Sequence, residues 1–215
     1  MSNPDSFIEE VTEEVRRDRL FALFRRYGWI AGVAVLALVG GAAFTEYRKA
    51  QGVTAAQAFG DAVLTALEAP TAADRRAALA AVPATGERAA VLNLLLASDP
   101  DEDRAATLAA LDAVAGDAAL PQVWRDLAVL RRVILAGAEM PLSDRRAALD
   151  PLAVPGRAFR PLALEQLAYL AVEGGDVPAA VVQLRALTQD QEAPAGLRRR
   201  AQQMIMALGG DSAGA

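Results

Sequence analysis

The chain has 215 residues, 53% hydrophobic but only 5% aromatic, and it contains no cysteine and no histidine. Those two absences exclude disulfides, cysteine nucleophiles, the usual zinc sites and any histidine-based triad. Lys49 is the only lysine, which excludes a G-x-x-x-x-G-K phosphate loop, and the net charge of −5 is a poor match for nucleic acid.

The leader, residues 1–26, carries five arginines against six acids. "SFIEEVTEEVRRDRLFALFRR" has a helical pattern. Ser6 and Glu9 have capping-box spacing, acids precede arginines as the helix dipole favours, and Ile8, Val11 and Val15 form an apolar stripe. The expectation is an amphipathic cytoplasmic helix, either solvated near anionic headgroups or docking a cytoplasmic partner.

Residues 27–45 follow, an uncharged run from Tyr27 to Thr45. At about 1.5 Å per residue it spans about 28 Å, close to the hydrocarbon thickness of a bilayer. It is apolar all round, with Tyr27 and Trp29 at one end and Phe44 and Tyr47 at the other, where amphipathic rings suit the two interfaces. Gly40 to Ala43 resemble a signal-cleavage site, but the long leader with five acids in its first fourteen residues does not fit a short basic signal region. A retained single transmembrane helix is therefore expected. Arg16, Arg17, Arg19, Arg25 and Arg26 precede it and only Arg48 and Lys49 flank its far end. The positive-inside rule places the N-terminus in the cytoplasm and the larger C-terminal part outside it, in a bacterium the periplasm. Gly28, Gly32 and Gly40 lie on one ridge, interrupted by Leu36, and form a candidate contact face for another membrane helix.

Residues 46–70 read as a connecting helix ending near Glu68, with Ala56, Phe59, Val63 and Leu67 on one stripe. Thr71 and Asp74 then open the next helix. From 71 to 208, helical stretches alternate with the breaks "VPATG", "SDPDED", "AGDAALP", "AGAEMPLSD", "VPGRAF" and "EGGDVP". No stretch alternates as a strand does. Leu164, Leu167, Ala168, Ala171, Gly175, Val177, Ala180, Leu184 and Leu187 carry the small-and-large spacing of a tetratricopeptide repeat. Trp124, Leu127 and Ala128 begin the same pattern 40 residues earlier. An earlier pair is expected over Glu87–Leu96 and Arg104–Val114, and "APAGLRRRAQQMIMAL" reads as a capping helix. The fold class is all-α: a transmembrane helix followed by a tetratricopeptide-like solenoid. Residues 209–215 read as a disordered tail.

In such arrays the first helix of each pair lines the groove. This register places Arg125, Val129 and Arg132 on one inner stripe and Glu165, Tyr169 and Val172 on the next. "SDPDEDR" gathers Asp99, Asp101, Glu102 and Asp103, but a calcium loop needs glycine and glutamate where Arg104 and Ala110 stand. It reads as an acidic helix cap. Arg131–Arg132, Arg145–Arg146 and Arg198–Arg200 read as solvated faces. No catalytic, cofactor-binding or metal-binding residues are expected, and the chain is not expected to be an enzyme.

The leader "SFIEEVTEEVRRDRL", the single span, the degenerate repeats, "GRAFRPLALEQLAYLAVEGGD" and "EAPAGLRRRAQQMIMAL" together resemble the YfgM-like membrane proteins with tetratricopeptide repeats. The resemblance covers nearly the whole chain. It implies a bacterial inner-membrane anchor and an ancillary role at the Sec translocon, linking it with periplasmic chaperones. The alternative expectation is a soluble periplasmic envelope-assembly or cell-wall factor released by cleavage.

Overall fold

The computed structural model describes residues 4–98 and 103–210, with side chains from Arg25 onward except Gly28 and Ala31. The described residues are helices and their connections, without a strand. The chain divides into two units, Met1–Asp61 and Ala62–Ala215.

The first unit is helical from Pro4 onward. Helix α1, Pro4–Leu67, runs unbroken through the stretches expected as leader, apolar run and connecting helix. Ala, Leu, Glu and Arg favour helix on both sides of the uncharged run, no proline follows Pro4 within α1, and the helix continues through the Gly40–Gly41 pair. Ser6, expected as the cap, lies inside the helix. Trp29, Leu36, Leu38 and Phe44 of the uncharged run are 67%, 73%, 74% and 58% exposed. Arg26 lies over the Tyr27 ring and Arg48 over the Phe44 ring, at 5.9 and 5.1 Å. Among the described residues, no helix is long and apolar enough to cross a membrane. The run Tyr27–Thr45 contains Gly28 and Ala31, which lie outside the described side chains.

The second unit begins with the last turn of α1, which stops three residues before Pro70, where helical backbone is disfavoured. Among the described residues eight further helices follow: α2 Ala72–Ala80, α3 Glu87–Leu96, α4 Arg104–Gly116, α5 Gln122–Ala136, α6 Leu142–Leu149, α7 Arg160–Glu173, α8 Val177–Gln189 and α9 Ala195–Ala207. Short 3-10 turns, Gly137–Glu139 and Asp150–Leu152, flank α6. Caps fix the boundaries. The Thr71 hydroxyl accepts from the Asp74 amide at 3.0 Å. Asp74 is too short to reach back to the Thr71 amide as the glutamate of a full capping box does, and instead accepts from the Thr71 hydroxyl at 2.7 Å. Asp103 caps α4 through the Ala106 amide at 2.9 Å, the role expected of this turn; Asp99, Asp101 and Glu102 lie outside the described residues.

The turn from α7 to α8 shows why glycine stands there. Gly175 has φ +82°, a conformation without penalty only for glycine. Its amide donates to the Val172 carbonyl and the Asp176 amide to the Ala171 carbonyl, the paired bonds of a Schellman motif. Asp176 then caps α8. Gly209 and Gly210, expected in the tail, close α9 in the same way, with Gly210 donating to the Ile205 carbonyl at 2.9 Å.

The core is a row of three clusters, each shared by helices adjacent in the chain. Ala90, Leu111, Val114 and Ala128 join α3, α4 and α5. Leu130, Val133, Leu149, Ala163 and Leu170 join α5, α6 and α7. Ala168, Leu184, Leu187, Leu197, Ala201 and Ile205 join α7, α8 and α9. Ala168 and Ala180 are fully buried, where only a small side chain lets two helix backbones approach.

Candidate functional site

The six residues expected to read a partner do not share one open surface. Val129 packs against the α5–α6–α7 cluster. Arg125 is half-buried and donates to the Gln122 side chain at 2.6 Å. Arg132 pairs with Asp112 of α4 at 2.5 Å. Val172 is half-buried near the end of α7.

Glu165 departs most from the sequence reading. It is 3% exposed, and it accepts from Arg200 of α9 at 2.9 and 2.8 Å and from the Tyr169 hydroxyl at 3.0 Å. A buried carboxylate needs such partners, and here they come from within the chain. Burial, then the neighbouring Glu165 charge and its hydrogen bond, pushes the Tyr169 hydroxyl above its ordinary pKa. The Glu165 hydrogen bond also raises Arg200 above its ordinary value. Glu165 and Tyr169 therefore form an α7–α9 clasp, not a partner-reading stripe.

The clasp belongs to a wider pattern that sequence reasoning missed. In this lysine-free domain, arginines bind carboxylates and helix C-termini of neighbouring elements. Arg76 and Arg131 both reach carbonyls at the end of α3, Arg76 to Leu96 at 3.2 Å and Arg131 to Leu94 and Ala97 at 3.1 and 2.6 Å. Arg104 of α4 reaches the Ala136 and Leu135 carbonyls at the end of α5. Arg157 pairs with buried Asp126 of α5 at 3.5 Å, and Arg160 with Asp190 and Glu192 at 2.7 and 2.9 Å. Arg145, expected on a solvated face, is buried and pairs with Glu173 while donating to the Met140 carbonyl at 2.9 Å. Its hydrogen bond holds the Glu173 carboxyl below the usual range. Cations at helix C-termini satisfy orphan carbonyls and complement the dipole. The one available signal was the spacing of arginines about 30 residues from their acids, and that spacing cannot be separated from chance without contacts.

A cleft of about 440 Å³ lies between α4, α5 and the start of α6. Leu108, Ala136, Met140 and Pro141 contribute its apolar lining, and Asp112, Arg132, Glu139 and Asp144 its charges. Arg132 is the one expected site residue that reaches it. A methyl group built at Gly32 or Gly40 of α1 meets nothing within 4 Å among the described residues; the Gly28 side of the ridge lies outside the described side chains. Among the described residues, no three potential ligands gather to hold a metal ion.

The described residues define an all-helical architecture: one long helix bearing an exposed apolar segment, and a domain of sequentially packed helices. Comparisons with family models, with curated proteins and with solved structures gave no match.

Proposed function

We propose that this chain is a single-span bacterial inner-membrane protein whose periplasmic, tetratricopeptide-like helical domain binds other proteins. On the resemblance to YfgM-like proteins, it serves as an ancillary subunit linking the Sec translocon with periplasmic chaperones. The observation that carries the anchor is the apolar segment of α1, whose large side chains are exposed on every side and flanked by arginine–aromatic pairs. Left in water, such a surface is strongly unfavourable; in lipid it is at home. The solenoid reading is supported by the row of core clusters, each confined to neighbouring helices, and by burial of Ala168, Ala180, Leu184 and Leu187 at the expected repeat positions. A tethered repeat domain acts by raising local concentration beside its membrane partners.

Alkaline carbonate extraction of membranes, followed by intact-mass measurement, tests the anchor. The expected result is a membrane-retained chain that keeps residues 27–45. Release of a shortened chain overturns the anchor and favours a soluble periplasmic envelope factor. Crosslinking in intact cells, read by mass spectrometry, tests the partners, and translocon and chaperone subunits are expected among the products.

A further inference from the structure

We infer that the cleft between α4, α5 and the start of α6 binds a partner segment that carries an apolar side chain next to a lysine or arginine. The inference rests on the protein-binding reading above and specifies the chemistry of the partner. Two independent features of the cleft point there.

The first is shape and lining. Leu108, Ala136, Met140 and Pro141 line a cavity of about 440 Å³, the size range of sites that take one or two side chains. Met140 is flexible and polarizable, which suits side chains of varied shape.

The second is charge. Asp112, Glu139 and Asp144 face the same cleft against one arginine, Arg132, in an acidic domain. Two other acids of the domain are locked: the Asp126 and Glu165 side chains are only 4% exposed and held by Arg157 and Arg200. At the cleft the Asp112 and Glu139 side chains are 53% and 66% exposed. Asp112 meets Arg132, Glu139 accepts from Arg104, and Asp144 accepts from Ser143. A carboxylate accepts several hydrogen bonds at once, and these side chains are open to solvent. An incoming cation finds acceptors without first breaking the internal pairs. Its apolar neighbour then has the adjacent lining to bury against. An acidic segment meets repulsion at the same rim.

The test uses the full chain in detergent and short fluorescent peptides read by anisotropy. A leucine–lysine peptide is expected to bind, with affinity falling as salt rises. A leucine–glutamate peptide and a serine–lysine peptide are each expected to bind at least roughly tenfold more weakly, since one lacks the charge and the other the apolar anchor. Combining Asp112→Asn, Glu139→Gln and Asp144→Asn should weaken the leucine–lysine peptide roughly tenfold at an unchanged thermal midpoint. Should the triple variant be unstable, Asp144→Asn alone, at an exposed position, is expected to weaken binding roughly two- to threefold. Equal binding of the lysine and glutamate peptides, or unaltered binding by the neutralised variants, overturns the inference. Peptide binding without crosslinked translocon or chaperone partners keeps the cleft and removes the proposed partners; the reverse removes the cleft alone.

Discussion

Arg200 and Glu165 show how unequal the two ends of one ion pair are. The Arg200 side chain is half exposed, so water replaces its partner when Glu165 is changed. Glu165 is buried, and losing Arg200 strands a carboxylate with only the Tyr169 hydroxyl. Arg200→Ala is therefore expected to cost about 2 kcal/mol, and Glu165→Gln, which keeps its acceptor oxygen, clearly less. Thermal or urea unfolding of the two variants side by side gives the comparison; an equal loss contradicts the asymmetry. Tyr169 adds a pH signature. Its pKa is raised in the folded state, so the folded chain holds the phenolic proton more tightly than the unfolded one. The associated stability is complete below the ordinary tyrosine value near 10 and is lost as pH rises through the folded value. Alkaline unfolding curves should fall more steeply for the wild type than for Tyr169→Phe above that pH. Parallel curves would remove the clasp from the explanation.

At the scale of helices, small residues and capping turns were legible in the sequence, whereas long-range ion pairs were not. Ala168, Ala180 and Gly175 announced their roles because only a missing or minimal side chain satisfies a close crossing or a positive φ. The helix breaks fell where proline, glycine and aspartate stood, and α3 occupies Glu87–Leu96 as expected. Glu165 was misplaced because amphipathic spacing cannot tell a buried acid with a distant arginine from a solvated one. Arg145 was misplaced for the same reason: its partner lies on α7, 28 residues away. Two tests belong here. Ala168→Leu and Ala180→Leu insert methylenes where nothing is exposed, and each is expected to lower stability by about 1–3 kcal/mol in chemical denaturation. Neutral effects at both sites would contradict the close α7–α8 crossing. The Arg145–Glu173 pair joins α6 to α7 and depresses the Glu173 pKa. Its contribution is present above the ordinary carboxylate value and disappears as pH falls through the lower folded one. Glu173→Gln should flatten the acid limb of the stability profile between those values, and an unchanged limb would show that the pair is idle.

For the whole molecule, the proposed anchor sets an orientation that can be tested. Five arginines stand within about 15 residues before the uncharged run, and two basic residues stand just after it, with the next at Arg75. Moving a cation-rich flank across an energised membrane opposes the transmembrane potential at about 2.3 kcal/mol per charge at 100 mV, so on the proposed anchor the flank with more arginines is expected to stay in the cytoplasm. The acids mixed into the leader weigh little, because orientation follows Lys and Arg rather than net charge. A reporter enzyme active only outside the cytoplasm is therefore expected to work when fused after Ala215 and to fail when fused before Met1. Replacing Arg16, Arg17, Arg19, Arg25 and Arg26 with glutamine leaves Arg48 and Lys49 as the dominant flank. That change should shift part of the population toward the opposite orientation, lowering activity of the C-terminal fusion and giving measurable activity to the N-terminal one. Activity from the N-terminal fusion of the unaltered chain alone would overturn the orientation. Inactivity of both fusions, with the protein recovered in the soluble cytoplasmic fraction, would overturn the anchor, and the exposed apolar face of α1 would then have to be covered by another protein.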